Sequence, residues 1–277
     1  MKLALFASAW AFGGLPACQR EVDSGLFDGV EGPPPESAAE LRELNRSRVP
    51  YIAEICSGGS YAPASSVSVD SHFHDFRSQL SRAVEANALF CSCLVGSDSW
   101  PLTIAVDFLA RALELGKSAG IELSFETHRS RPTFHPWATA ELLRALPELQ
   151  LTCDFSHWCV VCERVLDDEP ALAMAIGRAR HMHARVGYAQ GPQVPDPRAP
   201  EYEPELLAHE AWWRRIARAA AERGQELLTV TPEFGPDGYL QQAPFSKRPV
   251  ADLGELNRWM ARRQRAQLGE MLSALGA

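Results

Sequence analysis

The sequence predicts a (β/α)8 (TIM) barrel that forms a single domain over residues 1–277. Three observations predict this fold: the length of the chain, the number of strand-like segments, and their regular alternation with helical segments. Such a barrel typically needs about 250 residues, and this chain has 277. Short apolar runs alternate with stretches of helical apolar spacing at intervals of roughly 30 residues, as expected for parallel strands joined by helices. A doubly wound open sheet is the alternative.

Eight apolar runs are the predicted strands. They occupy residues 3–6, 27–30, 51–56, 89–95, 121–126, 149–154, 181–186 and 227–233. Helical spacing of Leu102, Val106, Leu109 and Leu113 predicts a helix that ends near Gly120. The Arg-rich stretch 252–275 predicts the eighth barrel helix, with its arginines on the solvated face.

The composition is that of a folded, non-membrane protein. Hydrophobic residues make up 46% and charged residues 22% of the chain. The formal net charge of −8 disfavours nucleic acid as a partner, because binding phosphates draws on a basic surface. No apolar run reaches the roughly 18 residues that would span a bilayer. The seven Cys lie mostly in apolar runs, which predicts reduced, buried thiols and a cytoplasmic protein.

Residues 1–18 allow two interpretations. Their apolar stretch ending at Cys18 loosely resembles a bacterial lipoprotein signal. Alternatively, residues 2–6 form the first strand, Gly13 and Gly14 a turn, and Pro16 the first turn of a helix. We favour the strand, because a barrel would otherwise lack one. Cys159 and Cys162 have the spacing of a redox or zinc half-site, but no second pair accompanies them.

Polar side chains follow the last four predicted strands. They are Glu126, Asp154 with His157 three residues later, His183, and Glu233. The C-terminal ends of barrel strands open onto one face, so these side chains can converge. A carboxylate at the end of an apolar strand is costly to bury without a cation. Carboxylates with imidazole suit one divalent metal ion, preferably Mn²⁺, with Mg²⁺, Co²⁺ and Zn²⁺ as alternatives.

Four segments resemble the metal-site strands of the sugar phosphate isomerase/epimerase family, which are xylose isomerase-like TIM barrels. They read SFETHR, CDFSHW, HMHARVG and TPEFGP, and begin at residues 124, 153, 181 and 231. The resemblance is specific between residues 121 and 236. It implies that Glu126, Asp154, His183 and Glu233 are the metal ligands. His157 would contact substrate or, in a multi-zinc branch, bind a further ion.

The sequence departs from two branches of that family. Pro132 stands where ketose 3-epimerases carry a second Glu. The segment after His183 offers Asp196 and Arg198 but no His for the phosphodiester-cleaving branch. His72 and His74 could supply earlier ligands, although their segment reads more simply as the solvent-facing start of a helix. The subfamily therefore stays open.

The resemblance implies a metal-dependent isomerase or epimerase that acts on a small carbohydrate through a metal-stabilised enediolate. Glu126 and Glu233 would move the proton, and His157 or His128 would act as general acid or orient a hydroxyl. A lyase, dehydratase or hydrolase on the same scaffold is the alternative. A non-catalytic or redox lipoprotein is a third hypothesis.

Further residues are predicted to contact the substrate. Arg185 is an anchor for a substrate oxygen, or else forms a salt bridge with Glu126 or Asp154. Trp10 suits the apolar face of a sugar ring, with core packing as its alternative. Gln193 lies in the Pro-rich segment 187–204, which we predict to cover the mouth. Trp212 and Trp213 are predicted to pack against the barrel or a second subunit, so a homo-oligomer is an open expectation.

Overall fold

The predicted (β/α)8 barrel is confirmed. The structure, a computed structural model, describes residues 1–167, 169–236 and 238–275. Its parallel strands close into a barrel in sequence order, with β1 beside β8. The strands are β1 (Lys2–Ser8), β2 (Gly29–Gly32), β3 (Tyr51–Cys56), β4 (Cys91–Leu94), β5 (Leu123–Glu126), β6 (Leu151–Cys153), β7 (Ala179–His183) and β8 (Leu227–Thr231).

Helices surround the barrel and connect its strands. They are α1 (Ala9–Phe12), α2 (Leu15–Asp23), α3 (Ala38–Ser47), α4 (Val69–Glu85), α5 (Leu102–Ala119), α6 (Pro136–Ala145), α7 (Ser156–Val161), α8 (Pro170–Gly177), α9 (Glu203–Glu222) and α10 (Leu253–Leu275), with a 3₁₀ turn over Pro200–Tyr202. Gly120 ends α5 in the left-handed conformation, with φ of 70°, as its position predicts.

The N-terminal segment forms the strand that the barrel requires. β1 pairs with both β2 and β8, and Pro16 lies in the first turn of α2. The strand interpretation of residues 2–6 is therefore confirmed. Cys18 is buried in α2, and all seven cysteines are free.

Two hydrophobic cores hold the barrel together. The larger one lies mainly between the strands and the helices, and it includes Trp212 and Trp213. The smaller one consists of Phe6, Ile52 and Phe90. We call these three residues the barrel plug. Phe6 and Ile52 precede the C-terminal ends of β1 and β3, and Phe90 lies directly before β4. The carboxyl ends of the strands are therefore left for polar side chains.

The last helix is tied to the start of the chain by ion pairs. On α10, Arg258 Nη2 lies 2.7 Å from Glu21 Oε1, and Arg265 Nη2 lies 2.9 Å from Asp28 Oδ2. The predicted eighth barrel helix is confirmed, with several of its arginines paired. None of the described helices is long and apolar enough to cross a membrane.

We expect Gly29→Ala to destabilise the barrel. A Cβ at this position would lie 2.4 Å from Phe6 Cε1 and 2.6 Å from the Pro50 carbonyl oxygen. Overpacking of this kind costs about 1–3 kcal/mol. The matched control is Gly269→Ala in α10, where a Cβ meets nothing within 4 Å and helix propensity favours alanine by about 1 kcal/mol. Urea melts that rank Gly29→Ala at or above the control would contradict the packing.

Candidate metal centre

The four predicted ligands converge at the carboxyl ends of the last four strands. Glu126 ends β5, Asp154 follows β6, His183 ends β7 and Glu233 follows β8. One ligand atom from each lies within 4.8 Å of the other three. Their side chains are buried, with Glu233 the most exposed at 6%. We call these four residues the ligand group.

Short polar bonds fix the backbone around the ligand group. The Thr133 hydroxyl donates to the Glu126 carbonyl oxygen. The Asp154 amide donates to Thr127 Oγ1 at 2.8 Å. The Ser156 amide donates to Asp154 Oδ1 at 3.0 Å. These bonds hold the two carboxylates at fixed positions on the strand ends.

His183 presents one ring nitrogen to the ligand group. Its Nε2 lies 3.1 Å from Glu31 Oε1. Its Nδ1 is buried without a hydrogen-bond partner, at 2.9 Å from Glu233 Oε2 and 3.6 Å from Glu126 Oε1. A metal-binding histidine commonly donates its other N–H to a carboxylate, which fixes the tautomer. The unpartnered Nδ1 and the surrounding oxygens therefore fit a divalent metal ion.

Glu31 also bonds to a second histidine. Its Oε2 lies 3.2 Å from His181 Nε2, and His181 Nδ1 lies 2.8 Å from Thr229 Oγ1. Burial alone would raise the pKa of Glu31, but His183 and His181 hold it well below its usual range. The sequence analysis missed Glu31. A carboxylate inside the short buried strand β2 was its only signal.

Burial and mutual repulsion hold protons on the ligand group. Burial raises the pKa of Glu126 to about 7, with Glu233 and Asp154 acting in the same direction and His183 against it. Burial would lower the pKa of His183, yet the carboxylates of Glu233, Glu31 and Glu126 raise it well above its usual range. A bound cation would replace these protons.

Arg185 forms the salt bridge that was one of its two predicted roles. Its Nη2 pairs with Asp154 Oδ2, and its Nη1 donates to the Glu233 carbonyl oxygen at 3.2 Å. The guanidinium also stacks 5.7 Å from the Trp10 ring. Arg185 still lines the cavity beside the ligand group, so its contact with substrate stays a prediction.

The two predicted histidines stand one behind the other. The ring centroids of His128 and His157 are 4.0 Å apart, and burial lowers the pKa of both. His128 lines the cavity, whereas His157 is not among the lining residues. His157 Nε2 instead lies 2.7 Å from Arg185 Nη2. His128 is therefore placed to contact a molecule in the cavity, whereas His157 contacts Arg185.

A small cavity of about 50 Å³ opens beside the ligand group. Its lining includes Glu126 and Glu233 and the predicted residues Trp10, His128 and Arg185. The lining also includes three residues with polar groups that the sequence analysis missed: Glu54, Tyr61 and Tyr239. Burial, together with Glu233, Glu31 and Glu126, raises the pKa of Glu54 to about 8. A larger groove of about 580 Å³ lies at the opposite end of the barrel but contains none of the ligand group.

Two other predicted residues lie away from the cavity. Gln193 accepts from the Gly235 amide at 2.7 Å and does not line the cavity, so its role here is to fasten the segment after β7 to that after β8. His72, predicted as solvent-facing, is buried in α4 with its Nδ1 2.7 Å from Ser57 Oγ. Burial raises the pKa of Cys159, which disfavours a redox role for the Cys159 and Cys162 pair.

Comparisons with known proteins identify the fold. A scan of protein-family models finds no match, and a search of curated protein sequences finds none either. Among solved structures, L-ribulose 3-epimerase has 12% identity and a TM-score of 0.64, covering 100% of this chain and 99% of that chain. The IOLI protein with a zinc atom has 12% identity and a TM-score of 0.62, covering 97% and 98%. The chain therefore shares the (β/α)8 fold of these solved structures.

A third solved structure with this fold carries a different name. Endonuclease IV from Thermus thermophilus has 15% identity and a TM-score of 0.58, covering 98% of this chain and 100% of that chain. At such identities the likenesses establish the fold alone.

We expect Glu31→Gln to weaken metal binding about 10- to 100-fold, because removing the partner of a metal-binding histidine typically has that effect. The dissociation constant of Mn²⁺ would be measured by titration calorimetry. Glu148→Gln, at an exposed position before β6, is the control. An unchanged affinity in Glu31→Gln would show that the carboxylate does not position His183.

We expect metal affinity to rise from about pH 6 to about pH 8, because bound metal requires deprotonated ligands. In the metal-free protein Glu126 has a pKa of about 7 and His183 keeps its proton above the usual range. Protons therefore compete with the metal more strongly as pH falls. Calorimetry in buffers of different ionisation enthalpy would count the protons released. A pH-independent affinity would contradict the assigned ligands.

Proposed function

We propose that the protein is a divalent-metal-dependent isomerase or epimerase of a sugar or sugar derivative. One observation carries the proposal: ligand atoms of Glu126, Asp154, His183 and Glu233 lie within 4.8 Å of one another, and both glutamates also line the cavity. A carboxylate that faces both metal and substrate is placed to move a proton on the substrate. The solved D-psicose and L-ribulose 3-epimerases with this fold support the assignment.

When bound, the cation would polarise adjacent oxygens of the substrate and stabilise negative charge that develops on them. Oxygen-rich coordination favours Mn²⁺, with Mg²⁺, Co²⁺ and Zn²⁺ as alternatives. Glu126 and Glu233 exchange the proton, and the pKa of Glu126, about 7, suits a group that takes and returns a proton near neutral pH. Trp10, His128 and Arg185 contact the substrate.

His157 acts through Arg185. The 2.7 Å separation of His157 Nε2 and Arg185 Nη2 makes the imidazole an acceptor that orients the guanidinium. Its assignment as general acid is the weaker one, because His157 does not line the cavity.

A lyase or dehydratase would use the same residues on a substrate with a leaving group beside the acidic carbon. A multi-metal hydrolase has one observation in its favour, namely two further groups of described residues that could hold an ion. One consists of Glu31, His181 and His183, but the carboxyl of Glu31 is already bonded to both histidines. The other consists of Glu126, His128 and His157. Arg185 Nη2 already places a positive charge 2.7 Å from His157 Nε2. We therefore assign one ion to each chain.

We expect the Mn²⁺-loaded protein to transfer deuterium from D₂O into a carbon next to the carbonyl of a free or phosphorylated sugar. Glu233→Gln should slow this exchange by about 10²–10⁴-fold, as for loss of a general acid or base, and Asp154→Ala should lose the metal. Mass spectrometry would follow exchange, and elemental analysis would count the metal. Glu148→Gln again serves as the control.

The outcomes separate the candidate functions. Exchange without net bond cleavage supports an isomerase or epimerase. Cleavage of a substrate bond with release of a product would instead identify the protein as a lyase or hydrolase. Two or more ions per chain would favour the multi-metal hydrolase, and a protein that binds no divalent metal would overturn the proposal.

A further inference from the structure

Glu54 is a cavity-lining carboxyl outside the ligand group. It lies in the middle of β3 and is 4% exposed. Its Oε2 is buried without a hydrogen-bond partner. A buried polar atom without a partner is unfavourable, and such atoms often mark a functional position. Because Glu54 belongs to none of the groups that could hold an ion, a bound metal would not supply that partner.

The surroundings of Glu54 suit a hydroxyl group. The Tyr61 hydroxyl lies against the Glu54 carboxyl, which shows that an O–H group fits beside it. Trp10 lies next to Tyr61, with ring centroids 6.2 Å apart. An aromatic wall beside a carboxyl presents an apolar surface to C–H groups and an acceptor to O–H groups. Sugars carry both.

The charge of the cavity disfavours a phosphate. Its described lining carries the carboxyls of Glu54, Glu126 and Glu233. The arginine in the lining, Arg185, is already paired with Asp154. Arg129 stacks 5.0 Å from the Tyr239 ring but is not among the lining residues. A phosphate in this lining would bury its charge without meeting an unpaired cation among the described lining residues, whereas a hydroxyl brings no charge into the site.

We propose that Glu54 recognises a hydroxyl of an unphosphorylated sugar, at a position away from the metal, and thereby sets the substrate class. This inference rests on the proposed function, because the ligand group fixes the other end of the sugar. The cavity beside the ligand group has a volume of about 50 Å³, and Tyr61, which is 41% exposed, forms part of its wall. A substrate hydroxyl in this cavity would bond to the unpartnered Oε2 of Glu54.

The experiment compares sugar binding and metal binding in the same variants. Mn²⁺-loaded protein is titrated calorimetrically with free ketoses and with the same ketoses phosphorylated on the terminal carbon. We expect the wild-type protein to bind a free ketose at least about tenfold more tightly than its phosphate. Glu54→Leu should weaken free-ketose binding about 3- to 10-fold, the loss expected for one hydrogen bond between uncharged groups, because the raised pKa of Glu54 keeps a proton on the carboxyl at pH 7. Its Mn²⁺ affinity should stay within about threefold, since Glu54 lies outside the ligand group.

A second variant keeps the hydrogen-bonding capacity at this position. Glu54→Gln retains an acceptor and a donor in place of the protonated carboxyl, so free-ketose affinity should stay within about twofold of the wild type. If Glu54→Leu does not fold, Glu54→Gln still provides the test. Glu148→Gln should match the wild type in every titration.

Three outcomes would overturn the inference: tighter binding of phosphates by the wild type, wild-type sugar binding in both Glu54 variants, or parallel loss of metal and sugar affinity. Absence of any sugar binding would overturn it as well. Failure of the proposed function is distinguishable, because free ketoses would then bind through Glu54 without deuterium exchange. Deuterium exchange into phosphorylated ketoses alone would agree with the proposed function and contradict the proposed role of Glu54.

Discussion

The carboxyl ends of the barrel strands bury several carboxyl groups, and the site depends on how the charge of these groups is compensated. Five carboxyls lie at or near it: Glu31, Glu54, Glu126, Asp154 and Glu233. Burying an uncompensated carboxylate costs several kcal/mol. Two histidines compensate Glu31, and Arg185 compensates Asp154. Glu126 and Glu233 both lie near His183 Nδ1, at 3.6 Å and 2.9 Å. Arg185 Nη1 lies 3.7 Å from Glu233, and His157 Nε2 lies 4.0 Å from Glu126. The shortage of positive charge at this pair is the physical reason that a divalent cation fits here.

Much of the barrel could be predicted from periodicity. The run 51–56 coincides with β3, while the run 149–154 extends beyond both ends of β6 (Leu151–Cys153). Apolar runs report burial, and burial continues past the last ladder hydrogen bond, so strand ends are less predictable than strand positions. The same limit applies to His72. Its place at the start of α4 was predictable, but its burial follows from a contact with Ser57 on a distant segment.

The candidate site was predictable where one topological rule applies. Residues that follow barrel strands meet at one face, and that rule brought Glu126, Asp154, His183 and Glu233 together. Glu31 and Glu54 lie within strands, where the sequence marks them only as charged residues among apolar ones. Tyr61 and Tyr239 reach the cavity from irregular segments whose course depends on tertiary contacts. Gln193 was predicted to contact the substrate because it lies in a long polar segment. It bonds instead to the Gly235 amide and does not line the cavity.

The position of the barrel plug affects how a molecule can reach the cavity. Phe6, Ile52 and Phe90 are fully buried, and they lie deeper in the barrel than the cavity beside the ligand group. On the side away from the barrel plug, the aromatic rings of Trp10, Tyr61 and Tyr239 line the cavity. Under the proposed function, substrate and product would both pass these rings, so bound product would compete with substrate for the cavity.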